Sequence, residues 1–353
     1  MTTPAAFSPV LEPFPGFAAL DGCHCISSSL ARIFHHAGHP LSEEMLLGLG
    51  AGMGFIYWRM KFGSEDSVFV GGRSNLNNFY QDLGNRTGTI IREKQTSSAA
   101  RAEAELLRSL AAQRPVMCGG DMGVLPWFDL PADYHFGGHT FVVCGFDGRR
   151  TVLCSDIEQK TAGVKKGFFA PASLAQLRKA RSSPFKPFPP KNLCFDFDFS
   201  SFHKPHKDDI LDSIRQTVDA ELRPPIKNFG IRGMRHTSHE LLKWPKQFTD
   251  RRLRMTLFNL YIFIEVGGTG GGCFRPMYAR FLKQAAEITH NRALLTGADQ
   301  FTQIGEGFSR IGLMFKDVAH VKYLGERITE ASNRFRALAD QEEQACKFIE
   351  AHL

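Results

Sequence analysis

No stretch of the sequence approaches the roughly 20 consecutive apolar residues that a helix needs to span a bilayer. The most apolar segment, Met255 to Val266, is shorter and carries Asn259 and Glu265. The start, MTTPAAFSPVLEPFPGF, lacks the basic stretch and apolar run of a secretory signal. These absences give the expectation of a soluble, cytoplasmic protein with no membrane partner. Polar-tipped aromatics are scarce as well: 6 Tyr and 3 Trp stand against 31 Phe. Phenylalanine has no polar atom to satisfy, so most of the excess belongs to dry cores, with an acyl-chain pocket the lesser reading. The cysteines (Cys23, Cys25, Cys118, Cys144, Cys154, Cys194, Cys273 and Cys346) are scattered, which speaks against a disulfide scaffold. Cys23-His24-Cys25 clusters soft ligands, but no second Cys/His pair lies at zinc-site spacing, and no metal site is expected. The formal charge of +7 is spread along the chain, with concentrations at Arg178–Lys191 and Arg232–Arg254. No aromatic-interleaved nucleic-acid motif accompanies it, so an acidic protein or an anionic substrate is the favoured partner.

What is present divides near the middle. Leu30, Ile33 and Phe34 recur at helical spacing after Cys25, and Gly38 ends the run. Ser42 caps a second helix through Met45, Leu46 and Leu49, and Ala99 to Ala112 forms an amphipathic third. After Pro115 the pattern turns to strands: Val116–Cys118, Thr140–Phe146 and Thr151–Cys154, the last two joined by an Asp147-Gly148 turn. Ser182 to Lys191 reads as a connector rich in Pro, Phe and Lys. Beyond Asp208 the periodicity is helical, at Ile210–Glu221, Thr249–Ile264, Tyr278–Ala293 and Val318 to the end. The expectation is an α+β chain of two domains, residues 1–200 and a mainly helical 201–353 with a glycine-rich loop.

Chemistry concentrates in the first half. Cys25 stands where a loop enters a helix, and there unpaired N–H groups and the helix dipole favour a thiolate. The Cys25 or Ile26 N–H is also placed to meet a developing oxyanion. Cys118, Cys144 and Cys154 lie in apolar strand patterns and are assigned to the core, leaving Cys23 as the rival nucleophile. His139 follows Gly137-Gly138 and opens a strand, which fixes its ring, whereas His35, His36, His135 and His320 read as ordinary. Asp156 follows the return strand of the hairpin, so His139 and Asp156 can lie side by side across the ladder. The carboxylate then orients the imidazole toward Cys25, the arrangement of a cysteine–histidine–carboxylate nucleophile.

The run Cys25-Ile-Ser-Ser-Ser-Leu30 with Gly38, Leu41-Ser42-Glu43, Gly48-Leu49-Gly50 and Phe55 resembles the butirosin biosynthesis protein H family. So does the later set of Pro115, Asp121, Leu125-Pro126, Gly138-His139, Gly145-Phe146-Asp147 and Asp156. Glu265 to Gly272 with Phe274-Arg275, Met277-Tyr278-Ala279 and Phe281-Leu282 is similar to the helical domain often fused to that family. The resemblance implies a papain-like acyltransferase that moves an acyl group from an acyl or peptidyl carrier protein to an amine in specialised metabolism. It implies no intrinsic cofactor, the donor's phosphopantetheine arm serving as substrate, and it adds Asp121 as a substrate-binding candidate. A more distant likeness is to bacteriocin-processing cysteine peptidases, but Ala19 stands where those carry Gln, which argues against proteolysis. A hydrolytic amidase or thioesterase and a non-catalytic carrier-binding scaffold are the rival readings, and homo-oligomerisation stays open.

Five glycines in six residues, Gly267 to Gly272, precede the helical pattern near Phe274. Gly268, Thr269, Gly270 and Gly271 are candidates to cradle the phosphopantetheine phosphate through backbone N–H groups, with Arg275 adding charge. A tight packing turn explains the same glycines equally well.

Overall fold

Local signals place about half of the helices and strands. The computed structural model describes residues 11–62, 65–131, 133–159 and 162–353. In chain order the first half carries α1 (Cys25–His36), α2 (Glu43–Leu49), β1 (Ile56–Phe62), β2 (Glu65–Gly71), α3 (Phe79–Thr87), β3 (Ile90–Lys94) and α4 (Ala99–Ala111). Then come β4 (Val116–Gly120), β5 (His139–Phe146), β6 (Thr151–Ile157), β7 (Gly167–Ser173), α5 (Leu174–Arg181) and β8 (Cys194–Asp198). The remainder is helical: α6 (Lys207–Leu222), α7 (Gly230–Leu241), α8 (Trp244–Gln247), α9 (Asp250–Tyr261), α10 (Arg275–Thr289), α11 (Ala293–Leu313) and α12 (Gly325–Glu350). Side-chain caps start several of the helices. Ser42 Oγ accepts the Met45 N–H at 3.1 Å, Ser98 Oγ that of Arg101 at 3.2 Å, and Ser173 forms a capping box with Gln176. No helix among the described residues is long and apolar enough to cross a membrane.

The chain is mixed α/β and divides into two compact units. The first comprises the chain up to Leu41, Ile91–Glu158 and Lys166–Phe197. It is built on a six-stranded sheet of order β3-β8-β4-β5-β6-β7. The pairings β8–β4, β4–β5, β5–β6 and β6–β7 are antiparallel. Strand β5 is buried almost throughout, as a central strand must be when elements cover it on both faces. Phe141 and Val143 join Leu106 and Leu110 of α4 and Leu177 and Ala180 of α5 in one apolar cluster. Helix α1 packs against β4, β5 and β6. The Ser182–Lys191 stretch is indeed irregular, but it connects α5 to β8 within this unit and does not link two domains.

The second unit comprises Ser42–Ile90, Gln159–Lys165 and Asp198–Leu353. A single cut near residue 200 therefore does not describe the chain, because residues 42–90 belong with the helical part. The reason is packing. Helix α2 lies against α10 so closely that a Cβ on Gly48 would stand 2.3 Å from the Phe281 ring. Glu44 pairs with Arg280 at 2.7 Å and Ser42 with Gln284 at 2.7 Å on the same seam. Helices α3, α5, α7, α8 and α11 and strands β1, β2, β3, β7 and β8 have no counterpart in the sequence reading. We expect Gly48→Ala to cost about 1–3 kcal/mol by overpacking against a ring that has no room to retreat, measured as a lowered urea midpoint.

Candidate functional site

The site is assembled from α1, β5 and β6, all in the first unit. Cys25 is the first residue of α1, and the helix is capped by His24, whose side chain accepts the Ser27 N–H at 3.4 Å. Cys25 is half-buried, and His139 is its side-chain hydrogen-bond partner. Its rival Cys23 is only 1% exposed. His139 Nε2 donates to Asp156 Oδ2 at 2.7 Å, and both residues are buried. With Nε2 engaged by the carboxylate, the other ring nitrogen is left to face the thiol. The expected trio is thus brought together: one imidazole lies between a thiol and a carboxylate.

The electrostatics fit a thiolate–imidazolium pair. Burial pushes the Cys25 thiol up, but the His139 hydrogen bond and charge, helped by the Thr140 N–H, outweigh it and leave the group below its ordinary 9.0. Burial likewise opposes charge on His139, yet Asp156 and Cys25 lift it from 6.5 to about 10. The core thiols show what burial does without an imidazole beside it, since Cys118 and Cys144 are each pushed up to about 12. Among the thiols whose pKa is displaced, Cys25 alone is lowered.

Three groups at this site carry no signal in the sequence reading. Arg32 of α1, 1% exposed, donates to the carbonyls of Leu20 at 2.6 Å and Asp156 at 3.2 Å. It thereby ties the nucleophile's helix to the end of β6. Trp127 Nε1 donates to Asp156 Oδ2 at 3.0 Å, and the Phe128 ring meets the His139 ring edge-on at 5.3 Å. An arginine on an amphipathic helix and two aromatics in a loop look ordinary until the fold folds them inward.

The expected substrate-binding residues find other work. Asp121 is 1% exposed and its carboxylate is fully used. Oδ1 accepts the N–H groups of Gly123 and Phe136, while Oδ2 accepts Ser183 Oγ at 2.6 Å and pairs with His135 Nδ1 at 2.9 Å. Burial raises its pKa, but these donors together bring it below the usual carboxylate value. It staples a loop and has no open face for substrate. Arg275 is wholly buried, donating to both Glu342 oxygens at 3.0 and 2.6 Å and to the carbonyls of Gly54 and Cys273. Four of its five N–H donors are used, Glu221 lies 3.8 Å from Nη2, and the buried guanidinium presents no surface to a phosphate.

The glycine-rich segment is a packing turn. It follows a π-helical stretch, Ile262–Val266, and φ is positive at Gly268, Gly270, Gly271 and Gly272. The Gly267 and Gly268 N–H groups bond Ile262 O and Val266 O at 2.7 Å each, and Thr269 Oγ1 donates to Ile264 O at 2.7 Å. The Gly272 N–H donates to Glu265 Oε1 at 3.0 Å. These bonds fold the turn back onto the helical stretch that precedes it. Among the described residues, no three His, Cys, Asp or Glu side chains converge as metal ligands.

A mixed α/β unit carrying a cysteine–histidine–aspartate array at a helix start is the class these features define. Residues 24–157, which span Cys25, His139 and Asp156, match the family described as Butirosin biosynthesis protein H, N-terminal. Residues 175–349 match a domain of unknown function (DUF4872), consistent with the helical partner expected beside it. No curated protein matches the chain.

Two outcomes follow from the charges. Alkylation of Cys25 by iodoacetamide, read by peptide mass, should show its acid limb below 9.0 in the wild type. In His139→Ala only the Thr140 N–H still opposes burial, so the limb should move to higher pH; an unmoved limb would separate the two side chains. In the second unit, Arg275→Met leaves Glu342 buried without its counter-ion, at a cost of about 3–5 kcal/mol, measurable by denaturant unfolding.

Proposed function

We propose that the chain is a cysteine-dependent acyltransferase of specialised metabolism, with a papain-like first unit. The observation that carries this reading is the Cys25 thiol, drawn below its ordinary value by a buried imidazole that Asp156 holds in place. The family matched by residues 24–157 is named for butirosin biosynthesis, which supports a biosynthetic reaction.

In the first step the Cys25 thiolate attacks the carbonyl carbon of an acyl thioester carried on the phosphopantetheine arm of an acyl or peptidyl carrier protein. The tetrahedral oxyanion meets the N–H groups at the start of α1, which have no intrahelical acceptor. The C–S bond to pantetheine breaks, and its sulfur takes the proton from His139. A thioester on Cys25 remains. In the second step an amine attacks that thioester and His139 accepts its proton. Cys25 leaves as thiolate, so a C–N bond replaces a C–S bond and the acceptor emerges as an amide. The charge of +7 suits an acidic carrier protein as donor. The glycine-rich turn has no part in this scheme, since the Gly268 N–H is bonded to Val266 O and the Arg275 guanidinium is buried against Glu342.

The experiment is incubation with an acylated carrier protein followed by intact-mass measurement. Wild type should gain one acyl group, located on Cys25 by peptide mapping, and added amine should discharge it as amide. Cys25→Ala should gain none. Discharge to water alone would make the protein a hydrolase, and retention of the adduct in Cys25→Ala would move the nucleophile elsewhere.

A further inference from the structure

We propose that Trp127 is a positioning residue for the Asp156–His139 pair. The inference rests on reading Cys25, His139 and Asp156 as one reactive unit; it does not depend on which acyl group or acceptor the site uses.

A carboxylate at the end of a strand can rotate about χ2, and rotation would carry its charge away from the imidazole. Three donors oppose that here. Asp156 Oδ1 accepts the Ile157 N–H at 2.8 Å, while Oδ2 accepts both His139 Nε2 at 2.7 Å and Trp127 Nε1 at 3.0 Å. The two donors on Oδ2 use both of its lone-pair directions, so the oxygen facing the imidazole has no freedom to turn toward water. Trp127 is itself held, edge-on to Phe141 at 5.3 Å, and the Phe141 ring lies nearly parallel to that of His139. The next residue, Phe128, closes over the imidazole edge-on. Two consecutive loop aromatics therefore fix the two members of the pair, one by a hydrogen bond and one by ring contact.

The orientation of the loop has its own anchor. Asp121 draws together the Gly123 and Phe136 N–H groups at the loop's two ends. Trp127 acts on chemistry through Asp156, and its indole N–H is the atom that matters. Loss of that N–H frees the carboxylate, weakens the oriented counter-charge on the imidazolium and so raises the pH at which Cys25 ionises.

The test replaces Trp127 by its benzothienyl analogue, which keeps the bicyclic shape and lacks the N–H, and separately makes Trp127→Phe. Iodoacetamide alkylation of Cys25 is followed against pH with no carrier protein or acceptor present, alongside thermal unfolding. Both variants should move the acid limb up by about one pH unit, the size a charge-assisted hydrogen bond carries. The analogue should do so with its melting temperature unchanged. A lowered melting temperature with the limb at its wild-type position would make Trp127 a packing residue and overturn the proposal. A wild-type limb at the ordinary thiol position would instead remove the reactive unit itself. Because no acyl donor enters the assay, failure of the acyltransferase reading leaves the limb shift intact and is told apart from either outcome.

Discussion

The hydrogen bond from His139 to Asp156 exists only because the β5–β6 ladder changes register once. Near the turn the pairs are Phe146 with Val152 and Gly145 with Leu153; beyond Cys144 they are Val143 with Cys154 and Val142 with Ser155. Carried straight on from the turn, the first register would set Asp156 opposite Val142, on the face that excludes His139. The extra residue shifts the pairing by one, so Asp156 falls opposite Phe141 and shares the face of Phe141 and His139. The core confirms the shift: odd-numbered Val143 and even-numbered Phe146 both pack on the same cluster. The bulge is itself secured, since Cys144 O accepts the Phe14 N–H at 2.6 Å. Beside it a Cβ on Gly145 would stand 2.4 Å from Glu12 O.

Given that register, the charges of the site follow. A thiolate in a half-buried place is costly, and burial alone raises a thiol. An imidazolium beside it repays that cost only if its own charge is held by a third group. Asp156 supplies the hold, and the rise of His139 to about 10 is the other side of the fall of Cys25. Arg32 adds rigidity rather than a proton, because its bonds run to backbone carbonyls on either side of the array.

Much of this was legible in the sequence. A cysteine opening an apolar-periodic run, a histidine after two glycines at a strand start, and a hairpin returning to an aspartate are local patterns, and local patterns survive folding. The bulge was not legible, because a seven- or eight-residue apolar strand reads the same with or without one extra residue. Nor was the Arg275–Glu342 pair, whose partners lie 67 residues apart. Helix α11 escaped because glycines interrupt its periodicity and lower helix propensity. In the fold they are close-packing points: a Cβ on Gly305 would meet Pro276 at 2.9 Å, and one on Gly307 would meet Leu338 at 2.3 Å. The glycine-rich segment misled for a different reason. Positive φ next to a helix start is what an anion cradle and a tight turn have in common, and the bonds that fold the segment back onto Ile262, Ile264 and Val266 mark the turn.

Asp121 carries the same lesson from the opposite direction. An acid in a run of family-like residues invites a role in contact with substrate, yet two backbone N–H groups, Ser183 Oγ and His135 share its carboxylate. Four such contacts to one buried carboxylate make a structural staple, since opening the loop would leave the charge without donors in a dry place. The residues between its two backbone contacts include Trp127 and Phe128, which rest on Asp156 and His139. An acid at the far end of the loop thus bears on the chemistry without touching it. It is linked to Asp156 through the loop that carries Trp127, and the cysteine–histidine–aspartate array extends further into the fold than its three members.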